Sequence, residues 1–137
     1  MLLYSINDYV QSDATMLALT GKDPLIINPM IGYDDDIAPI MLYEYSPRVQ
    51  DDFMYFIHHD TVRYVILDTD IDRAYAIRDR LLALLNHSDQ IQLKNIDDTY
   101  GRMLYMTLYR SSDRAPYEPD GYYAISASFE FCWIPND

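Results

Sequence analysis

From Tyr122 to Ile134 the chain alternates without interruption. Tyr123, Ile125, Ala127, Phe129, Phe131 and Trp133 fall on one side, with Ser126, Ser128 and Glu130 on the other. Successive side chains of a β-strand point to opposite faces, so the run predicts one long strand with a buried face and a wetter one. An apolar strand face this long is stable only beneath a second layer. The remaining residues must therefore supply both partner strands and a cover.

They contain candidates for each. Leu3, Ile6, Val10, Ala14 and Leu17 recur at three- and four-residue spacing, which predicts one helix from Leu3 to Leu19; Gly21 stops it and Pro24 bars continuation. A short extended run follows at Leu25-Ile26-Ile27. Ala38 to Tyr45 reads as a strand ended by Ser46-Pro47. Phe53–Ile57 and Thr61–Leu67 are two further β-type runs, either one bent strand or a hairpin about His59-Asp60. Thr69-Asp70-Ile71-Asp72 fits a capping box, with the Thr69 hydroxyl and the Asp72 carboxylate on unpaired N–H groups. The helix it opens runs to about Leu85, with Ala74, Ile77, Leu81, Leu84 and Leu85 on one stripe and Asn86 at its end. Arg102–Arg110 carries apolar residues on both faces, which predicts a strand covered on both. Ser111–Gly121, with two prolines, is predicted to be a loop. The order predicts an α+β protein: an antiparallel or mixed sheet of about four or five strands, with two helices packed on one face, in a single domain over 1–137.

Composition narrows what such a domain does. The 137 residues are 50% apolar, too rich for a disordered chain, and at this length folding buries about two-thirds of the surface. No apolar run approaches the roughly 18–20 residues that cross a bilayer. The start, MLLYSIND, has neither the basic flank nor the cleavage site of a secretory signal, so the expectation is a soluble protein made inside a cell. One cysteine, Cys132, excludes a disulfide framework or a cysteine zinc site within one chain. A formal charge of −12, from 22 acidic and 10 basic residues, opposes binding to phosphate backbones. Fourteen tyrosines and seven methionines exceed ordinary usage; they fit either well-filled strands or extensive contact with other polypeptides.

No set of residues assembles a recognisable active centre. Asp68-Thr69-Asp70 after the strand YVIL has the D-x-D form of haloacid dehalogenase-like phosphatases. That chemistry also needs a lysine in place and a parallel βαβ series, whereas the only lysines are Lys22 and Lys94, and helix capping accounts for Thr69, Asp70 and Asp72. Asp34-Asp35-Asp36 lacks the alternating ligands and closing glutamate of a calcium loop and reads as a solvated acidic turn. His58 and His59 are neighbours on a strand and point opposite ways, which argues against one shared metal ion. His87 stands at a helix end, where positive charge is favourable. Cys132 lies among aromatics, the setting of an inert thiol. Glycine-rich phosphate loops and a G-x-S-x-G elbow are absent from the sequence. The expectation is a non-enzymatic interaction protein with no cofactor and no metal.

Taken in order, these pieces resemble the tail terminator, or tail-completion, family of long-tailed bacteriophages. The matching stretches are Asp13-Ala14 to Gly21 with the strand Leu25–Ile27, the proline-led Ala38–Tyr43, Val62–Leu67 running into the helix Asp70 to Leu85, and the final Phe129-Glu130-Phe131-Cys132-Trp133. The resemblance spans most of the chain and departs from the family in the acidic 34–36 loop and the 46–60 segment. It implies a virion protein, assembled in the host cytoplasm, that forms a homo-oligomeric ring, a hexamer. The ring would cap the head-proximal end of the tail tube, stop its polymerisation and meet the head–tail connector. Its partners would be further copies of itself, the tail tube protein and a stopper or adaptor protein; DNA would pass through the lumen without specific binding, and no membrane is involved. A closed ring needs two complementary patches per subunit. Arg48, Phe53 and Tyr55 in the segment 48–60, Arg114 and Tyr117 in the segment 111–121, both taken as arms, and Arg110 at the end of the preceding strand are the candidates for subunit or tube contact, and Asp34, Asp35 and Asp36 for an acidic lumen that repels phosphates. The alternatives are another neck protein, an adaptor or stopper, and an acidic DNA mimic that inhibits a nucleic-acid-binding enzyme.

Overall fold

The computed structural model describes residues 2–22, 25–27, 39–47, 57–117 and 121–136, with 92 and 113–117 as backbone only. Its elements in chain order are α1 (Leu2–Gln11), α2 (Ala14–Thr20), β1 (Ile26–Ile27), β2 (Ile40–Pro47), β3 (His58–Asp68), α3 (Ile71–Leu85), α4 (Gln90–Leu93), β4 (Gly101–Tyr117) and β5 (Tyr122–Pro135). Five strands form one sheet in the order β1-β2-β3-β5-β4, parallel only between β1 and β2. The protein is thus α+β with a mixed sheet, as its element order predicts.

The alternating strand lies where its pattern requires, inside the sheet. β5 pairs with β3 from His58↔Trp133 to Asp68↔Tyr123 and with β4 along its other edge. Ile125, Ala127, Phe129 and Phe131 of β5 and Val62, Tyr64 and Ile66 of β3 share one buried face. Against it pack Leu2, Leu3, Ile6 and Val10 of α1, Met16 of α2, and the predicted stripe of α3, Ala74, Ile77, Leu81, Leu84 and Leu85. One polar link crosses this core: the buried Tyr64 hydroxyl donates to Asn7 Oδ1 at 2.6 Å, so neither group is left unpaired. Burial holds the Tyr64 phenol well above its usual pKa, and Tyr43 adds to the shift.

The N-terminal segment is two helices rather than the single one that its spacing predicts. The chain is extended at Asp13, whose carboxylate accepts from Met16 N–H at 2.9 Å and caps α2. The same carboxylate takes two hydrogen bonds from the Arg80 guanidinium of α3, each 2.8 Å. The break changes the buried phase: Met16 and Thr20 face inward, while Leu17, counted in the continuous stripe, is 44% exposed. Gly21, in the left-handed region at φ 61°, ends α2 as expected.

Several boundaries also move. The cap of α3 lies one residue later than the predicted box. β3 stays paired through Asp68, and Asp70, not Thr69, accepts from Asp72 and Arg73 N–H. His59 and Asp60 are interior residues of β3, not a hairpin turn, and Ser46-Pro47 continue β2 opposite Thr61 and Asp60. The predicted loop 111–121 is mostly strand: β4 runs to Tyr117, and β-bulges at Met103/Tyr105, Leu108/Arg110 and Arg114/Tyr117 absorb its irregular sequence. β4 is covered on one face only, since Arg102, Tyr109 and Arg110 are exposed. Its outer edge meets His87, which exchanges two backbone bonds with Met106, and Asn86, whose side chain accepts from Leu108 N–H. Of the Phe53–Ile57 run, 53–56 lie outside the described residues.

Two predictions follow from this packing. Asp13→Ala should cost about 1–3 kcal/mol at neutral pH, from the lost cap and the stranded guanidinium, measured by urea denaturation. The Arg80 guanidinium holds the Asp13 carboxyl below its ordinary 3.8, so this contribution is complete above that pH and is lost as the pH falls through the lower folded value; the gap between wild type and variant should close there. Gly101→Ala should cost about 1–3 kcal/mol by overpacking, because an added Cβ would sit 2.5 Å from the Ile134 carbonyl oxygen and 2.7 Å from the Trp133 ring; the denaturation midpoint reads this directly.

Candidate interaction surface

The described helices all pack on one face of the sheet, and among the described residues the other face carries no helix. Cross-strand rows define its chemistry: Ile40↔Leu67↔Ala124, then Leu42↔Val65↔Ser126, Glu44↔Arg63↔Ser128↔Arg110, and Ser46↔Thr61↔Glu130↔Thr107. The small β5 residues Ala124, Ser126 and Ser128 are nonetheless buried, beside the longer Leu67, Val65 and Arg63 of β3. Ser112 and Ser126 hydroxyls bond at 2.6 Å, and Ser111 donates to the Ser126 carbonyl. Arg63 and Glu44 form a loose exposed pair at 3.5 Å, worth little in stability. This face is aliphatic at one end and charged or hydroxylated at the other, a mosaic suited to contact with another polar surface rather than to enclosing a small molecule.

At the far end of the same face His59 pairs with Cys132, whose sulfur lies 3.9 Å from Nε2; Tyr105 Oη is 3.4 Å from Nδ1. A cysteine beside a histidine is the beginning of a nucleophilic pair, but here the surroundings work against a thiolate. Burial pushes the Cys132 thiol up, and the Asp60 and Glu130 carboxylates add to the shift. His58 faces the opposite side and stacks on Trp133 with ring centroids 4.7 Å apart. The two histidines therefore diverge, as their spacing predicts.

The remaining buried acids serve the fold. Asp60 is 2% exposed and accepts from the Tyr45 hydroxyl at 2.6 Å and Trp133 Nε1 at 2.8 Å. Burial, followed by hydrogen bonding to Asp60, raises the Tyr45 pKa. Asp68, first residue of the D-x-D candidate, is fully buried and held by Arg73 through bonds of 2.7 and 2.6 Å, while its Oδ1 also accepts from Asp70 N–H. A carboxylate so engaged is a structural anchor rather than an open ligand. Among the described residues no three His, Cys, Asp or Glu side chains converge as a metal site, and no described helix is long and apolar enough to cross a membrane. His87 Nε2 donates to the Ala83 carbonyl at the C-terminal end of α3.

The sequence-derived contact residues fare unequally. Arg110 is exposed on the helix-free face, in the row with Ser128 and Arg63. Arg114 and Tyr117 fall in β4, paired with Ala124 and Tyr122, rather than in an arm. Arg48, Phe53 and Tyr55, and the acidic Asp34, Asp35 and Asp36, lie outside the described residues. What residue-by-residue reading missed is Arg63 and the small-residue row of β5, which only cross-strand register brings together.

With this geometry in hand, the chain can be set beside known proteins. No protein-family model matches the sequence, and no curated protein matches it in sequence. In three dimensions it is similar to a chain in the virion of a native gene transfer agent particle, with a TM-score of 0.67 at 13% identity, over 96% of this chain and 92% of that one. The two chains share a fold from end to end, with little sequence in common.

Cys132 gives the test of the chemistry assigned to this face. In the native protein at pH 8 its reaction with a disulfide reagent should be at least tenfold slower than that of a free cysteine, and guanidinium unfolding should restore the full rate.

Proposed function

We propose that this protein is a structural component of a tailed, phage-like particle, and specifically a tail terminator: a ring subunit that caps the head-proximal end of the tail tube, ends tube growth and presents the joining surface to the head. The observation that carries the reading is the end-to-end likeness in fold to a virion chain of a gene transfer agent, coming on top of the order of motifs in the sequence. Three features agree with it. The helix-free face of the sheet is polar and mixed, as contact between proteins requires. The buried or part-buried acids Asp13, Asp60 and Asp68 are engaged by donors within the fold. The tyrosine surplus leaves rings on the surface, with Tyr4, Tyr100 and Tyr109 each more than two-fifths exposed.

In this reading the chain acts in the virion neck as a homo-oligomer, a hexamer, bound to the tube protein on one side and to a connector protein on the other. Arg110, Arg114 and Tyr117 on β4, with Arg48, Phe53 and Tyr55, contribute to contacts between subunits or with the tube. Asp34, Asp35 and Asp36 face a lumen through which DNA slides, repelled by carboxylates. No catalytic residue, cofactor or metal enters the mechanism: the work is done by complementary surfaces that close a ring and leave the tube no site for further addition.

The test is to add purified protein to polymerising tail tubes of the same particle. Electron microscopy should show density at one tube end only, tubes should stop lengthening, and native mass spectrometry should give a closed multiple of the subunit mass. A protein that neither self-associates nor binds tube ends overturns the proposal.

A further inference from the structure

At the margin of the sheet, α4 and the start of β4 border a cleft of about 190 Å³. Its floor is apolar and well buried, formed by Leu93, Ile96 and Met103, while Lys94, Asp98 and Arg102 stand around it. The volume is below the roughly 300–1,000 Å³ of small-molecule sites and matches a side chain better than a cofactor. Its charge is what sets it apart. Arg73, Arg78 and Arg80 are each spent on an acid within the chain, and Arg63 sits beside Glu44. Lys22, Arg110, Lys94 and Arg102 form no ion pair among the described residues, and of these Lys94 and Arg102 share one small cleft in a chain of formal charge −12. Exposed apolar surface lies close by in sequence: Ile91 on α4 is 70% exposed, and Tyr100, stacked edge-on against Tyr4, is 43% exposed.

We infer that this cleft is one half of a head-to-tail contact between copies of the chain, and that it receives an acidic side chain from a neighbouring subunit. The inference rests on the ring reading and deepens it by naming where one of the two complementary patches lies. Copies that each carry twelve net negative charges repel one another. Self-association therefore requires places where a cation of one copy meets a carboxylate of the next. A cleft with two uncommitted cations and a single acid offers such a place, and the acidic surplus of the chain, 22 acidic residues against 10 basic, makes the surface of a second copy the complementary one. The apolar floor would accept the methylene stem of the entering side chain while Lys94 and Arg102 hold its head. Such a contact joins unlike patches, which is the geometry that closes by rotation.

The experiment compares wild-type protein with Lys94→Glu/Arg102→Glu, Lys94→Arg/Arg102→Lys and Lys22→Glu by analytical ultracentrifugation and native mass spectrometry, alone and with tail tubes. Circular dichroism confirms that each variant is folded; all three sites lie off the buried core. The double reversal should weaken association at least tenfold and leave monomer under conditions where wild type forms rings. The conservative double variant and the remote Lys22→Glu should retain rings. If the double reversal still forms rings, the cleft is not the contact, and the ring reading stands without it. If Lys22→Glu disrupts rings as strongly, net charge and not this cleft is responsible. If wild type neither self-associates nor binds tube ends, both the cleft assignment and the ring reading fall.

Discussion

The backbone pairing of β3 with β5, unbroken along all eleven residues of β3, is the contact on which the rest of the structure depends. It sets the two strands in a register that puts Val62 beside Phe129, Tyr64 beside Ala127 and Ile66 beside Ile125, and so creates the apolar face on which α1, α2 and α3 lie. A slip of one residue would turn that whole set to the opposite face. Register is also held at the two ends of β3. Asp60 takes the Trp133 indole and the Tyr45 hydroxyl, and Asp68 takes the Arg73 guanidinium as the chain turns into α3. Both acids are nearly or fully buried, and their donors come from the strands and helix that the register brings together.

How much of this was legible beforehand depended on how local each signal is. The strand from Tyr122 and the stripe of α3 follow from periodicity alone, since each encodes its own buried face. The break between α1 and α2 was hidden because its cause lies elsewhere: Asp13 fits a helix interior poorly, but its value as a cap is completed by Arg80, 67 residues away. The extension of β4 through 111–117 went unseen for a similar reason, because pairing to β5 overrides the turn character of the Ser-, Asp- and Pro-containing stretch and bulges take up the misfit. The cap of α3 moved by one residue because Asp68 stays in the ladder, which composition cannot show.

The surface was less legible than the fold. Isolated residues such as Arg110 could be nominated from sequence, but the rows that give the helix-free face its character join residues from three or four strands. Ser128 illustrates the point. Alone it is a polar residue on the wet side of a strand. In the sheet it is buried between Arg63 and Arg110, a shallow floor flanked by long side chains. The described helices gather on one side of the sheet and leave a mosaic of side chains on the other, and a virion chain of a gene transfer agent shares this fold at 13% identity.

The sheet's two margins are unlike. One is β1, two residues long and parallel to its neighbour; the other is β4, seventeen residues long and antiparallel, partly shielded by Asn86 and His87. A chain with such different flanks has an intrinsic left and right. Were copies joined long margin to short margin, every copy would run in the same sense, and the resulting body would have a front and a back.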